Sequence, residues 1–283
     1  MVETESEMIR VWEGTMVKNR SVTLTPFIPT TNKFEGMGVI ICPGGSYCWL
    51  DSHTEGVLVA KWLNSQGIAA FLLKYRTQGY IPFLTHSRLL FKGNQHPNMI
   101  EDIQRAIQLV RENALRYGVN PKRVGVMGFS AGGHLAMSSL CYHATNYLAP
   151  HKINTQVSLM PDFAALLYPV VSMSHSVTHK RSRRALLGEY GKHKADMREL
   201  LSLEKHVPDD CPPVFLVNCK DDPVVKYQNS ELLDAALTLK HVTHKYIQYE
   251  KGRHGFGASD RKGTPECRQW RNEFIQWIQT LGL

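Results

Sequence analysis

The sequence predicts an α/β fold, a mostly parallel central sheet with helices on both faces. Three observations predict it. Short β-branched apolar runs alternate with amphipathic stretches of helical period, as expected of strands joined by crossover helices. The chain has 283 residues, 43% hydrophobic and 20% charged, enough for a large core and unlike a disordered or disulfide-stapled chain. No repeat and no convincing linker interrupts the alternation, so residues 1–283 read as a single domain.

The elements follow in order. Val22 to Ile28 reads as a strand ended by Pro29, and Met37 to Cys42 as a buried strand stopped by Pro43-Gly44-Gly45. Glu55 to Gln66 carries Val57, Leu58, Trp62 and Leu63 at helical spacing and is closed by Gly67; Ile68 to Tyr75 is the next strand. Tyr80 to Gln95 breaks the rhythm and reads either as a lid or binding loop or as a surface insertion. From Asn98 to Tyr117 one stripe of Ile100, Ile103, Ala106, Ile107, Val110, Ala114 and Leu115 predicts a helix ended by Gly118. Arg123 to Met127 is a strand running into Gly128-Phe129-Ser130-Ala131-Gly132, with a helix from Ala131 to about Tyr142. Phe163 to Val171 is a strand. Ser172 to Pro212 is charged and loop-rich, a place for a small helical insertion near a site. Pro213 to Cys219 and Lys245 to Tyr249 are strands, while Ser230 to Leu239 and Glu266 to Leu281 are helices.

Composition narrows the function classes. A net charge of +8 invites a nucleic-acid partner, but the densest basic run, His179 to Arg184, lacks interleaved aromatics or zinc-ligand spacing and reads as a solvated segment. No nucleic-acid or membrane partner is expected, since no apolar run approaches the roughly 18 residues of a membrane span. The acidic start Met1 to Glu7 is not a signal peptide, which leaves the compartment open between cytoplasm and a secreted protein with its signal removed. The six cysteines form no Cys-x-x-Cys and read as buried thiols. The oligomeric state is not legible.

The chemistry concentrates at Gly128-x-Ser130-x-Gly132 between a strand and a helix. A serine on this sharp turn presents its hydroxyl above the sheet, with a helix N-terminus behind it that favours developing negative charge. A serine hydroxyl needs a base, and His254 stands on a glycine-rich loop after the last strand. His241 and His244 precede that strand and lie at the wrong end. The acid to orient the imidazole is Asp222, with its neighbour Asp221 as rival, after the strand Val214 to Cys219. Oxyanion donors are the Ala131 N–H and the loop Pro43 to Tyr47. His134 reads as structural. His175 and His179 stand four apart but lack the Glu of a metalloprotease motif, so no metal is expected, and the chemistry requires no cofactor.

With these residues in hand, the sequence resembles the α/β-hydrolase superfamily, in its bacterial acetyl-xylan-esterase-like and hormone-sensitive-lipase-like branch. The resemblance runs from about Ile40 to Leu281. It rests on Pro43-Gly44-Gly45-Ser46-Tyr47, Glu55-Gly56, Lys74-Tyr75-Arg76, Gly128 to His134, Asp221 to Val225, and Gly252-Arg253-His254-Gly255. It implies an acid four residues past the position of Asn218, which is Asp222. It also implies oxyanion donation by Gly45 and Ser46, with Ser46 replacing the family's third glycine. A short acyl group, such as acetate on a plant sugar polymer, is the implied substrate.

The expectation is a serine carboxylesterase with Ser130 as nucleophile, His254 as base and Asp222 as acid. Tyr47 and Trp49, with the 80–95 and 172–212 segments, are the candidates for lining the substrate pocket. Two rivals share the motifs: a peptidase of the prolyl-oligopeptidase kind, and a non-catalytic binding protein that reuses the pocket.

Overall fold

The computed structural model describes residues 8–31, 33–34, 36–79, 93–174 and 176–282. Most of the 80–95 loop and His175 therefore lie outside the described residues. The strands are β1 (Ile9–Arg10), β2 (Thr23–Phe27), β3 (Gly38–Cys42), β4 (Ala69–Lys74), β5 (Val124–Phe129), β6 (Ala164–Leu167), β7 (Val214–Cys219) and β8 (His244–Tyr249). They form one eight-stranded sheet in the order β1-β2-β4-β3-β5-β6-β7-β8. From β4 to β8 every pairing is parallel, whereas β1–β2 and β2–β4 are antiparallel.

Strands β3, β5, β6 and β7 are buried along their whole length. Their near-continuous apolar sequences, broken in β7 by the buried Asn218, follow from having helices on both faces. On one face, α2 (Asn98–Glu112), α3 (Ala131–Cys141) and α6 (Gln228–Leu239) pack Ile103, Ile107, Leu135, Leu140, Leu233 and Leu237 onto Ile40, Phe71, Val126 and Leu216. On the other, α1 (Leu58–Ser65) and α7 (Trp270–Thr280) pack Val59, Leu63, Trp270, Phe274 and Trp277 onto Val39, Ile41, Met127 and Phe215. The insertion after β6 holds α4 (Lys180–Gly191) and α5 (Ala195–Leu200).

The differences from expectation are local. β1 carries only two residues and no readable pattern. It reaches only Thr23 and Leu24 of β2, so Pro26, which lacks an N–H, falls where β2 has a neighbour on one side alone. The helix expected from Glu55 begins as a π-turn, His53–Val57, before α1 proper. The strand expected to reach Val171 stops at Leu167, because Tyr168 turns to a positive φ of 39°. His179 caps α4 rather than lying within a helix, and its Nδ1 meets Ser182 Oγ at 2.8 Å. All six cysteines are free thiols. No described helix is long and apolar enough to cross a membrane.

Parallel strands place all their C-terminal ends along one edge of the sheet, where open α/β sheets bind ligands. The loops bearing Gly44, Ser130, Asp222 and His254 leave β3, β5, β7 and β8 on this edge.

Candidate active site

Ser130 stands between β5 and α3 with φ 52° and ψ −119°, a backbone conformation that L-residues avoid. The turn survives because its surroundings hold it. Ser130 N–H donates to Leu167 O at 3.0 Å, and Ser130 O accepts from the N–H groups of Gly133, His134 and Val170. A Cβ on Gly128 would lie 2.2 Å from Gly132 O, and one on Gly132 would lie 2.0 Å from Cys42 O. Only glycines at both flanks let β3, β5 and α3 close on the serine.

His254 Nε2 lies 2.9 Å from Ser130 Oγ, and its Nδ1 lies 2.6 Å from Asp222 Oδ2. The Asp222 side chain is 1% exposed and its other oxygen accepts the N–H groups of Val224 and Val225, at 2.7 and 2.9 Å. With Asp222 accepting from Nδ1–H, Nε2 carries the lone pair and faces the serine hydroxyl proton. The two adjacent acids divide. Asp221 Oδ1 accepts the N–H groups of Gly252 and Arg253, at 2.9 and 2.7 Å, and so anchors the loop that carries His254. Arg253 itself has φ 61°, and this anchor holds it there.

The loop after β3 runs against the serine: a Cβ on Gly44 would come 2.8 Å from Ser130 Cβ. Gly45 takes φ 137° and leaves no room for a side chain, since a Cβ would meet Trp49 O at 2.1 Å. Gly44 N–H is engaged by Glu55 Oε2 at 2.7 Å. The N–H groups of Gly45 and Ser46 make no hydrogen bond with the described residues. Ala131 is the first residue of α3, where a helical N–H has no intrahelical acceptor.

Tyr47 departs from the pocket-lining role expected of it. Its side chain is fully buried, because φ 61° turns the residue inward, and its hydroxyl meets His134 Nδ1 at 2.8 Å. His134 Nε2 lies 3.0 Å from Leu201 O and can only donate there, so Nδ1 accepts the Tyr47 proton. Burial holds the His134 pKa down at about 4, consistent with this neutral, structural imidazole. Trp49 is partly buried on the same loop.

Three groups behind the imidazole were given no role from sequence. Tyr168 places its ring 4.7 Å from the His254 ring, accepts Gly257 N–H at 2.9 Å and donates to Glu55 Oε1 at 2.9 Å. Trp270 donates to Gly257 O at 2.9 Å. Glu55 belongs to a motif that carried the resemblance, but its partners lie up to 113 residues away.

The BD-FAE family model matches residues 27–237. The chain is 35% identical over 222 residues to endo-1,4-beta-xylanase B of Butyrivibrio fibrisolvens, covering 78% of this chain and 33% of that protein. It is 30% identical over 250 residues to the acetylxylan esterase of Xylanibacter ruminicola, covering 87% of this chain and 45% of that one. It thus spans a third to a half of the length of these curated relatives. Among solved structures, an acetyl ester-xyloside bifunctional hydrolase from Caldicellulosiruptor lactoaceticus superposes with a TM-score of 0.82 at 33% identity, covering 98% of this chain and 97% of that one. Sheet order, structural similarity and family match agree: the chain belongs to the BD-FAE family and has the α/β-hydrolase fold of esterases.

Proposed function

We propose that the chain is a serine carboxylesterase that removes short acyl groups, chiefly acetyl, from a carbohydrate such as xylan. The observation that carries the chemistry is the continuous hydrogen-bonded path Asp222–His254–Ser130, with bonds of 2.6 and 2.9 Å. Ser130 Oγ attacks the ester carbonyl carbon as its proton passes to His254 Nε2, and the carbonyl electron pair moves onto oxygen. The N–H groups of Ala131, Gly45 and Ser46 receive that oxyanion. Collapse breaks the acyl C–O bond, and the departing alkoxide takes the proton from Nε2, leaving acyl-Ser130. Water then attacks with His254 as base, and a second collapse returns Ser130 and releases the carboxylic acid. Asp222 holds Nδ1–H and offsets the imidazolium charge in both halves. No step needs a cofactor.

Acetyl and xylan as acyl and alcohol groups are supported by the names of the Xylanibacter and Caldicellulosiruptor relatives. Trp49 is the loop residue best placed by sequence to meet the sugar. The test is acetate release from acetylated xylo-oligosaccharides, with p-nitrophenyl acetate and octanoate alongside. The wild type should favour acetyl over octanoyl esters, and Ser130→Ala should lose about 10³-fold or more in kcat. Turnover by Ser130→Ala at the wild-type rate refutes the mechanism. Preference for the octanoate refutes the acyl assignment alone.

A further inference from the structure

We infer that Glu55 is a positioning residue of this site, tying the oxyanion loop to the His254 loop; the inference rests on the esterase reading above. Glu55 is 3% exposed. Its Oε2 accepts Gly44 N–H at 2.7 Å and its Oε1 accepts the Tyr168 hydroxyl at 2.9 Å. Tyr168 Oη in turn accepts Gly257 N–H at 2.9 Å, three residues beyond His254, and its ring packs 4.7 Å from the imidazole. Ala258 N–H donates to Thr54 O at 3.2 Å, joining the same two segments one residue along. One carboxylate therefore links the loops after β3, β6 and β8.

Stability alone is a poor reason for this arrangement. Among the described residues Glu55 has no ion-pair partner, and a buried carboxylate without one is several kcal/mol worse off than in water. Burial accordingly raises its pKa, as does the Asp51 carboxylate, opposed by the nearby His254 side chain and by the bonds from Gly44 and Tyr168. The groups facing Glu55 are His254, Asp51 and Tyr168. The residue also sits in a π-turn, His53–Val57, a distortion common at functional sites. Glu55 engages Gly44 N–H, whereas the N–H groups of Gly45 and Ser46 on the same loop make no hydrogen bond with the described residues. Through Tyr168 it fixes the height of the His254 loop over Ser130.

The test is a double-mutant cycle read by kcat and KM separately on p-nitrophenyl acetate. Glu55→Gln keeps size but removes the charge and one acceptor: with its oxygen on Gly44 N–H, its amide nitrogen can only donate to Tyr168 Oη, which strands the hydroxyl proton and weakens that link. Its kcat should fall about 10- to 100-fold with KM within about twofold, the scale of a small misplacement of reacting groups. Tyr168→Phe removes only the hydroxyl and should lower kcat by about tenfold. The double variant should fall no further than the worse single one, since both act along one path. A structural role alone lowers the melting temperature and leaves kcat untouched. A wild-type kcat in folded Glu55→Gln, or losses that multiply in the double variant, overturns the inference. If Glu55→Gln does not fold, Tyr168→Phe decides, and an unchanged kcat there overturns it. Ser130→Ala separates the two readings: its inactivity beside a fully active Glu55→Gln refutes the positioning role alone, whereas its activity refutes the esterase mechanism.

Discussion

Acidification should loosen this protein through a buried histidine on the helix that follows Ser130. His134 is fully buried on α3, with Nε2 donating to Leu201 O and Nδ1 accepting from Tyr47. Burial lowers its pKa from 6.5 to about 4. The unfolded chain takes a proton on this residue below about pH 6.5, the folded chain only below about 4. Between those values the unfolded state binds more protons, so stability is complete above pH 6.5 and is lost as pH falls towards 4. A shift of 2.5 units at about 1.4 kcal/mol per unit amounts to roughly 3 kcal/mol, most of it gone by pH 4.5. The assay is urea unfolding at pH 7 and pH 4.5 for wild type and His134→Gln. His96 and His179, both also held at about 4 by burial, titrate in either protein, so the difference between the two isolates His134. The variant, though less stable at pH 7, should lose about 2 kcal/mol less than wild type on acidification. An equal loss in both proteins refutes the reasoning.

Three further outcomes follow from the geometry. Asp222→Asn should lower kcat by about 10⁴-fold with little change in folding, because an amide disrupts the imidazole tautomer; Asp221→Asn keeps an acceptor oxygen for Gly252 and Arg253 and should lose less than tenfold. Comparable losses for the two, measured on p-nitrophenyl acetate, would contradict the division of roles. Gly132→Ala forces a methyl to 2.0 Å from Cys42 O, so denaturant unfolding should report a loss of about 3 kcal/mol or more, or no soluble protein. Asp102→Ala removes the acceptor of Trp12 Nε1, Arg76 N–H and Arg76 Nε–H. It should cost about 3–5 kcal/mol in urea, and a loss under about 1 kcal/mol would mean that this buried cluster contributes little.

The reach of the sequence ends where contacts become distant. The serine turn was legible because a strand, two glycines and a helix lie within a few residues, and sterics there permit little else. His254 and the pair Asp221–Asp222 were legible because each follows its own strand closely, and the strands are parallel; the choice of Asp222 within the pair came from the spacing that the resemblance implies. The antiparallel setting of β2 was not, since an apolar run carries no direction. Tyr47 misled for a local reason. An aromatic beside an oxyanion loop resembles a pocket wall, but its inward turn depends on an acceptor, His134, 87 residues away. Glu55 had its motif noticed and its role unassigned for the same reason: two of the three segments it joins lie more than 100 residues further along.

What the sheet supplies beyond placement is the means to hold strained backbone. Among the described residues seven non-glycine positions have positive φ, and five of them, Ser46, Tyr47, Ser130, Tyr168 and Arg253, lie just past the C-terminal ends of β3, β5, β6 and β8. Each such residue costs on the order of 1 kcal/mol or more. Four of the five are also held by bonds from outside their own turns, and Ser46 by the closure of its turn. Gly45 O accepts the N–H groups of Cys48 and Trp49, closing the turn that contains Ser46 and Tyr47, and His134 takes the Tyr47 hydroxyl. Leu167 and Val170 hold Ser130, Val217 O takes the Tyr168 N–H, and Asp221 takes that of Arg253. Strain gathered on one edge and fixed by partners on several strands is what holds the Ser130 hydroxyl and the His254 imidazole within hydrogen-bond reach of each other. On this view Asp221 and Glu55, which touch no reacting atom, matter to rate as much as to folding: removing either frees a strained loop to relax, and the geometry it held goes with it.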